Sequence, residues 1–195
     1  MSENRPNRRQ QILETLAQEL EKSPGSRITT AGLASAVGVS EAALYRHFAS
    51  KAKMFEALID FADDSIFALI NTIASQESDA AVRCGKIVGM LLGFSEKNPG
   101  ITRILLGEAL VGENERLRSR VTRFFDRIET QLKQILREAN LGNSTRASGS
   151  IDATASQLMD IVEGKMGSYV RSNFEKHPTR YWDEQWASLR KALFV

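Results

Sequence analysis

Apolar residues recur every three or four positions along almost the whole chain, and nowhere do β-branched residues alternate with polar ones over a strand's length. A spacing near 3.6 lines one face of a helix, whereas a half-buried strand needs a spacing of two, so the pattern predicts an all-α protein. Ile12, Leu13, Leu16 and Leu20 predict a first helix from about Arg8 to Lys22, ended by Ser23-Pro24-Gly25-Ser26. A second starts near Thr29 or Thr30, whose hydroxyls can cap free backbone N–H groups, and stops at Gly38. Ser40 caps a third through Phe48, with Glu41 at the positive end of its dipole. Ser50 opens a long fourth helix, in which Phe55, Leu58, Ile59, Ala62, Ile66, Leu69, Ile70 and Ile73 form one inward stripe.

The next segment, about Ala80 to Asn98, carries Ile87 to Phe94, apolar on every face, and is expected at the centre of a larger domain. Asn98-Pro99-Gly100 ends it. A short helix over about Ile101 to Leu110 precedes a long one in which Leu117, Val121, Phe124, Phe125, Ile128, Leu132, Ile135 and Leu136 mark one face. Arg116, Arg118, Arg120, Arg123 and Arg127 lie on or beside the opposite face. Leu141 to Ser150, rich in Gly, Ser and Asn, reads as a mobile loop. Two final helices, about Ile151 to Phe174 and Tyr181 to Leu193, bring the expected total to about nine.

Several function classes fall away. The single cysteine, Cys84, cannot form an internal disulfide or a Cys-rich zinc site and reads as a small buried hydrophobe; His177 before Pro178 reads as a loop residue, and His47 has no acid at ligand spacing, so no metal is expected. No GxSxG, Walker or GxGxxG string occurs, so no enzyme and no cofactor are expected. The longest apolar run is far short of the roughly 20 residues that a membrane helix needs, and the N-terminus lacks a secretory apolar stretch, so a cytoplasmic protein is expected. The net charge of +2 is unevenly spread: residues 1–55 hold eight bases against five acids, and the remainder eighteen against nineteen. That asymmetry points to a polyanion contact in the first quarter.

Ile28 to Phe48 is the informative stretch. Two short helices joined by Gly38-Val39 form a compact unit if the small Ala34 lets them cross closely while Leu33, Val37, Val39, Leu44 and Phe48 fill the angle. A corner that only packs would satisfy the same pattern. Read as a helix-turn-helix, its second helix can enter a DNA major groove N-terminus first, with Ser40, Ala42 and Ala43 small enough for close approach and Tyr45 and Arg46 outward. Thr29, Thr30, His47 and Lys51, with Arg8, Arg9 and Arg27, are candidates for phosphate contacts, which fix register without reading sequence.

Leu44-Tyr45-Arg46-His47-Phe48-Ala49-Ser50-Lys51 resembles the recognition-helix signature of the TetR family of dimeric DNA-binding regulators. The resemblance implies a three-helix DNA-binding domain over residues 1–50, with the helix-turn-helix at about 30–48, and a helical domain over 51–195 that dimerises through its last two long helices. Further strings, Asn98-Pro99-Gly100-Ile101-Thr102-Arg103-Ile104-Leu105, Arg127-Ile128-Glu129-Thr130-Gln131-Leu132 and Tyr169-Val170-Arg171-Ser172-Asn173-Phe174, are similar to one branch of that family. That branch binds palindromic chromosomal sites and, when bound, antagonises the tubulin-like division protein FtsZ over the nucleoid. This closer similarity implies that the FtsZ tail peptide lies in a groove lined by Phe61, Met90, Gly93, Lys97 and Asn98, with Leu69 standing where a basic residue is expected.

The chemistry of those residues suits an acidic peptide: Gly93 permits close backbone approach, Phe61 and Met90 offer apolar contact, and Lys97 attracts the charge. Phe61 and Met90 as plain core residues is the competing reading. Gly164 and Gly167 would let the penultimate helix approach its two-fold mate, and Trp182 and Trp186 would anchor that dimer core. The alternative function is an effector-released transcriptional repressor, with a small molecule in the C-terminal domain changing the spacing of the recognition helices.

Overall fold

A computed structural model describes residues 7–22, 25–142 and 144–195. Ser23 and Pro24, expected to end the first helix, and Asn143, expected in the loop, lie outside the described residues. Among the described residues the chain is all-α: α1 (Arg8–Lys22), α2 (Thr30–Val37), α3 (Glu41–His47), α4 (Lys51–Gln76), α5 (Ala80–Lys97), α6 (Pro99–Leu105), a 3-10 turn (Glu108–Leu110), α7 (Glu115–Leu141), α8 (Ile151–Arg171) and α9 (Trp182–Leu193). Their contacts divide the chain into two units, Met1–Ala62 with Asn98–Val121, and Asp63–Lys97 with Thr122–Val195.

In the first unit, Ile12, Leu13, Leu16 and Leu20 of α1 are buried, as their spacing predicts. Thr29 caps α2 by accepting the Gly32 N–H at 3.1 Å, and Ser40 caps α3 by accepting the Ala43 N–H at 3.2 Å. Gly38 ends α2 at φ +75°, where a side chain would be strained, and Val39 N–H bonds back to the Ala34 carbonyl at 2.9 Å. Leu33, Ala34, Val37, Leu44 and Phe48 are all buried, so the two short helices share one small core.

The same unit joins α1 to α6 through two residues. Gly100 lies so close to α1 that an added methyl group would collide with the Ala17 carbonyl oxygen. Arg103 is 1% exposed, and its guanidinium donates to the Leu20 carbonyl and to the Glu108 carboxylate. Glu108 in turn accepts the Gly25 N–H at 3.0 Å. The last turn of a helix leaves carbonyls without intrahelical partners, and here a buried cation satisfies one of them. The helix expected over about Ile101 to Leu110 is broken instead: α6 stops at Leu105, and Gly107 at φ +75° turns the chain into the 3-10 turn.

In the second unit α5 is the central element, with Cys84, Ile87, Val88, Leu91 and Leu92 buried. Burial pushes the Cys84 thiol up to about 12, consistent with a small buried hydrophobe rather than a nucleophile. α5 packs on α8 and α9. A methyl group at Gly85 would overlap the Trp186 ring, and one at Gly89 would stand 2.8 Å from the Trp182 indole nitrogen. The two indole rings are 5.6 Å apart. Both tryptophans are therefore engaged in packing α9 onto α5 within one chain.

Two expectations change. Leu69 was placed on the inward stripe of α4, yet it is 45% exposed, because Ile66 and Ile70 define the buried line and Leu69 is turned about 100° away from Ile70. The loop after α7 was expected to be mobile, yet it is bonded at several points. Ser144 accepts the Ala80 N–H at 2.8 Å, Thr145 donates to Asp79, and Arg146 and Val195 exchange two backbone bonds at 2.9 Å. Burial raises the Asp79 carboxyl, but the bonds from Thr145 and the Val82 N–H, with Arg190 nearby, outweigh it and hold the group below its ordinary value.

Gly100→Ala forces a methyl group against backbone that cannot rotate away. It is expected to cost about 2–3 kcal/mol, near the top of the range for overpacking. Thermal unfolding at fixed protein concentration should show a Tm about 4–10 °C lower, and an unchanged Tm would show that α1 and α6 are not in contact.

Candidate nucleic-acid interface

The first unit carries all twelve predicted DNA contacts. Caps fix two of them: the Thr29 and Ser40 oxygens accept backbone N–H bonds, which leaves each hydroxyl proton available to a phosphate. The Thr30 hydroxyl is committed in the free protein, donating to Glu41 at 2.7 Å and so tying the start of α2 to the start of α3. On α3, Ala42 is exposed and Ala43 half-buried, Tyr45 is 45% exposed, and Arg46 and His47 are exposed. Leu44 faces inward between them and is fully buried. α3 thus presents Ala42, Tyr45 and Arg46 outward while Leu44 and Phe48 hold it to the unit.

The cations have distinct surroundings. Arg8 donates to the neutral Gln11 side chain at 2.7 Å, and the Arg9 guanidinium lies 4.7 Å from the centre of the Phe48 ring. Lys51, at the start of α4, is 15% exposed and lies 2.5 Å from Oε1 of Glu113, while the Arg27 Nε stands 3.7 Å from the same oxygen. Glu113 carries no signal in the sequence, being 62 residues from Lys51 and in no motif.

The remaining predicted residues are distributed between the units. Phe61 is 47% exposed, and in the first unit it borders a cavity of about 230 Å³ together with Leu13, Leu58, Asn98 and Ile101. In the second unit Met90 and Gly93 are half-buried and Lys97 is exposed on α5. Gly164 is exposed with open space around it, and Gly167 lies beside the Arg171 guanidinium. An open groove of about 800 Å³ runs along α8 and α9, lined by Asp160, Ile161, Gly164, Lys165, Tyr181 and Leu189. Among the described residues no cluster of three or more His, Cys, Asp or Glu could hold a metal ion, and no helix is long and apolar enough to cross a membrane.

Residues 12–58 match the family described as bacterial regulatory proteins of the tetR family, and residues 78–194 match the family described as the SlmA-like, tetracyclin repressor-like C-terminal domain. The chain is 54% identical to the nucleoid occlusion factor SlmA of Marinomonas sp. over all of this chain and 99% of the relative. It is 52% identical to the nucleoid occlusion factor SlmA of Alteromonas mediterranea over 97% of this chain and 96% of the relative. The MbdR regulator from Azoarcus sp. has the same fold, with a TM-score of 0.80 over 97% of this chain and 100% of that one, at 18% identity.

If Lys51 meets a phosphate, Lys51→Ala weakens binding to specific and random duplexes alike and lowers the salt dependence by about one charge. Fluorescence anisotropy titrations across a salt series measure both, and an unchanged slope would remove Lys51 from the interface.

Proposed function

The chain belongs to the SlmA family of nucleoid occlusion factors within the TetR-type DNA-binding regulators, and from that membership we propose that it binds palindromic chromosomal sites and there antagonises FtsZ assembly over the nucleoid. The observation that carries this reading is the identity above 50% sustained through the C-terminal domain as well as the helix-turn-helix. A shared DNA-binding unit alone would not separate a division factor from a transcriptional repressor.

DNA binding is assigned to residues 1–50 and dimerisation and partner binding to residues 51–195. α3 enters the major groove with Tyr45 and Arg46 toward the bases, and a two-fold dimer sets two such helices roughly 34 Å apart, one helical turn of DNA. The outward groups of α2 and α3, and the surplus of positive charge in the first quarter, support that docking. The face of α8 and α9 that carries Gly164 and Gly167 is the assigned dimer surface, with Trp182 and Trp186 fixing α9 in place. The protein acts at the nucleoid in the cytoplasm.

FtsZ is the assigned protein partner, and the residues assigned to it are Phe61, Met90, Gly93, Lys97 and Asn98. The exposure of Phe61 and Lys97 supports this, since core residues would be buried. Phe61→Ala with Lys97→Ala is expected to keep DNA affinity within about twofold while abolishing the effect on FtsZ assembly in a light-scattering assay. Loss of both activities would mean that core had been mistaken for surface.

A map of crosslinked DNA sites across the chromosome tests the function as a whole. Many dispersed sites, sparse around the replication terminus and indifferent to promoters, are expected. One or two promoter sites would establish an ordinary repressor instead.

A further inference from the structure

Glu113 lies beside two of the predicted phosphate contacts, and the predicted function leaves it unused. Its carboxylate oxygen serves two cations at once, Lys51 at 2.5 Å and Arg27 at 3.7 Å, as a backbone phosphate oxygen would. The Glu113 side chain is only 10% exposed, so this pair is screened less by salt than a surface ion pair. Among the described residues, Arg8, Arg9, Arg46 and His47 have no carboxylate within ion-pair distance; only Lys51 and Arg27 of the predicted DNA-contacting cations are neutralised in this way.

The carboxylate also sits on a short connecting segment outside α6 and α7. It follows the exposed Val111 and Gly112, and Gly112 and Gly107 both adopt φ +75° on either side of the 3-10 turn. Its backbone N–H bonds to the Leu110 carbonyl at 3.1 Å, and the next residue, Asn114, caps α7 by accepting the Arg116 N–H at 2.9 Å. Because Glu113 lies outside both α6 and α7, its side chain can change partners without either helix unwinding.

We propose that Glu113 is an internal stand-in for a DNA phosphate: it holds Lys51 and Arg27 in the free protein and surrenders them when backbone phosphates arrive. A phosphodiester and a carboxylate each carry one negative charge, so the exchange leaves Lys51 neutralised before and after, and one fewer counterion is released per protomer than the bare cations would give. Glu113 therefore lowers affinity for every duplex equally and restrains non-specific occupancy, while base readout by α3 is untouched. The inference rests on the reading of Lys51 and Arg27 as phosphate contacts.

Glu113→Gln removes the charge and keeps the shape. In anisotropy titrations with a random-sequence duplex and with a palindromic site, it should bind both about three- to tenfold more tightly, with a salt slope steeper by about one. On a background lacking both cations, Lys51→Ala with Arg27→Ala, the same substitution should gain less than twofold. Unchanged or weaker binding by Glu113→Gln with a native Tm would overturn the proposal, because Glu113 would then be positioning Lys51 for DNA. Loss of affinity in Lys51→Ala without any gain in Glu113→Gln overturns the stand-in role alone, whereas a Lys51→Ala variant with native affinity overturns the phosphate reading and the stand-in role together. The native chain gives an independent measurement: the side-chain carboxyl carbon resonance of Glu113 should move toward that of a free carboxylate when random duplex is added, and a resonance that does not move overturns the proposal.

Discussion

A single buried guanidinium organises the first unit. Arg103 is taken out of water, and a cation so placed is tolerable only when its N–H groups are met by acceptors of matching charge. Leu20 supplies the carbonyl at the end of α1, and Glu108 supplies the carboxylate from just beyond α6. Glu108 then reaches Gly25, where the chain enters α2. The orientation of α1 and the entry to the helix-turn-helix are thus both set from α6, about 80 residues later in the sequence. Gly100 completes the arrangement by removing the side chain that would hold the two helices apart.

Much of this was legible in the sequence, and what was not has a physical explanation. Helices α1 to α3 were bounded within a residue by local chemistry: a buried stripe, two hydroxyl caps and a left-handed glycine. Local chemistry does not report which partner a side chain meets across the chain. Glu113 beside Lys51 and Thr145 beside Asp79 were invisible for that reason. Leu69 was misplaced because a stripe read by steps of three and four is wider than the line that is actually covered. The size of the two tryptophans suggests anchors for a dimer core, but the surface that they cover within the chain, the paired glycines of α5, appears only in the fold.

The fold by itself says little about what the protein does. Regulators at 18% identity share it over nearly their whole length, and the relatives above 50% identity carry one function in their names. The space beside α5 is filled by Trp182 against Gly89 and Trp186 against Gly85.

The placement of those two indoles has a practical consequence. The chain has only two tryptophans, and both lie in the second unit, stacked near each other against bare glycine backbone. Intrinsic tryptophan emission therefore watches one half of the molecule and is blind to the other. Denaturation followed by emission, set beside the same transition followed by far-ultraviolet dichroism, separates loss of the α5–α9 packing from melting of the DNA-reading head. Coincident curves would mean that the two units unfold as one cooperative body.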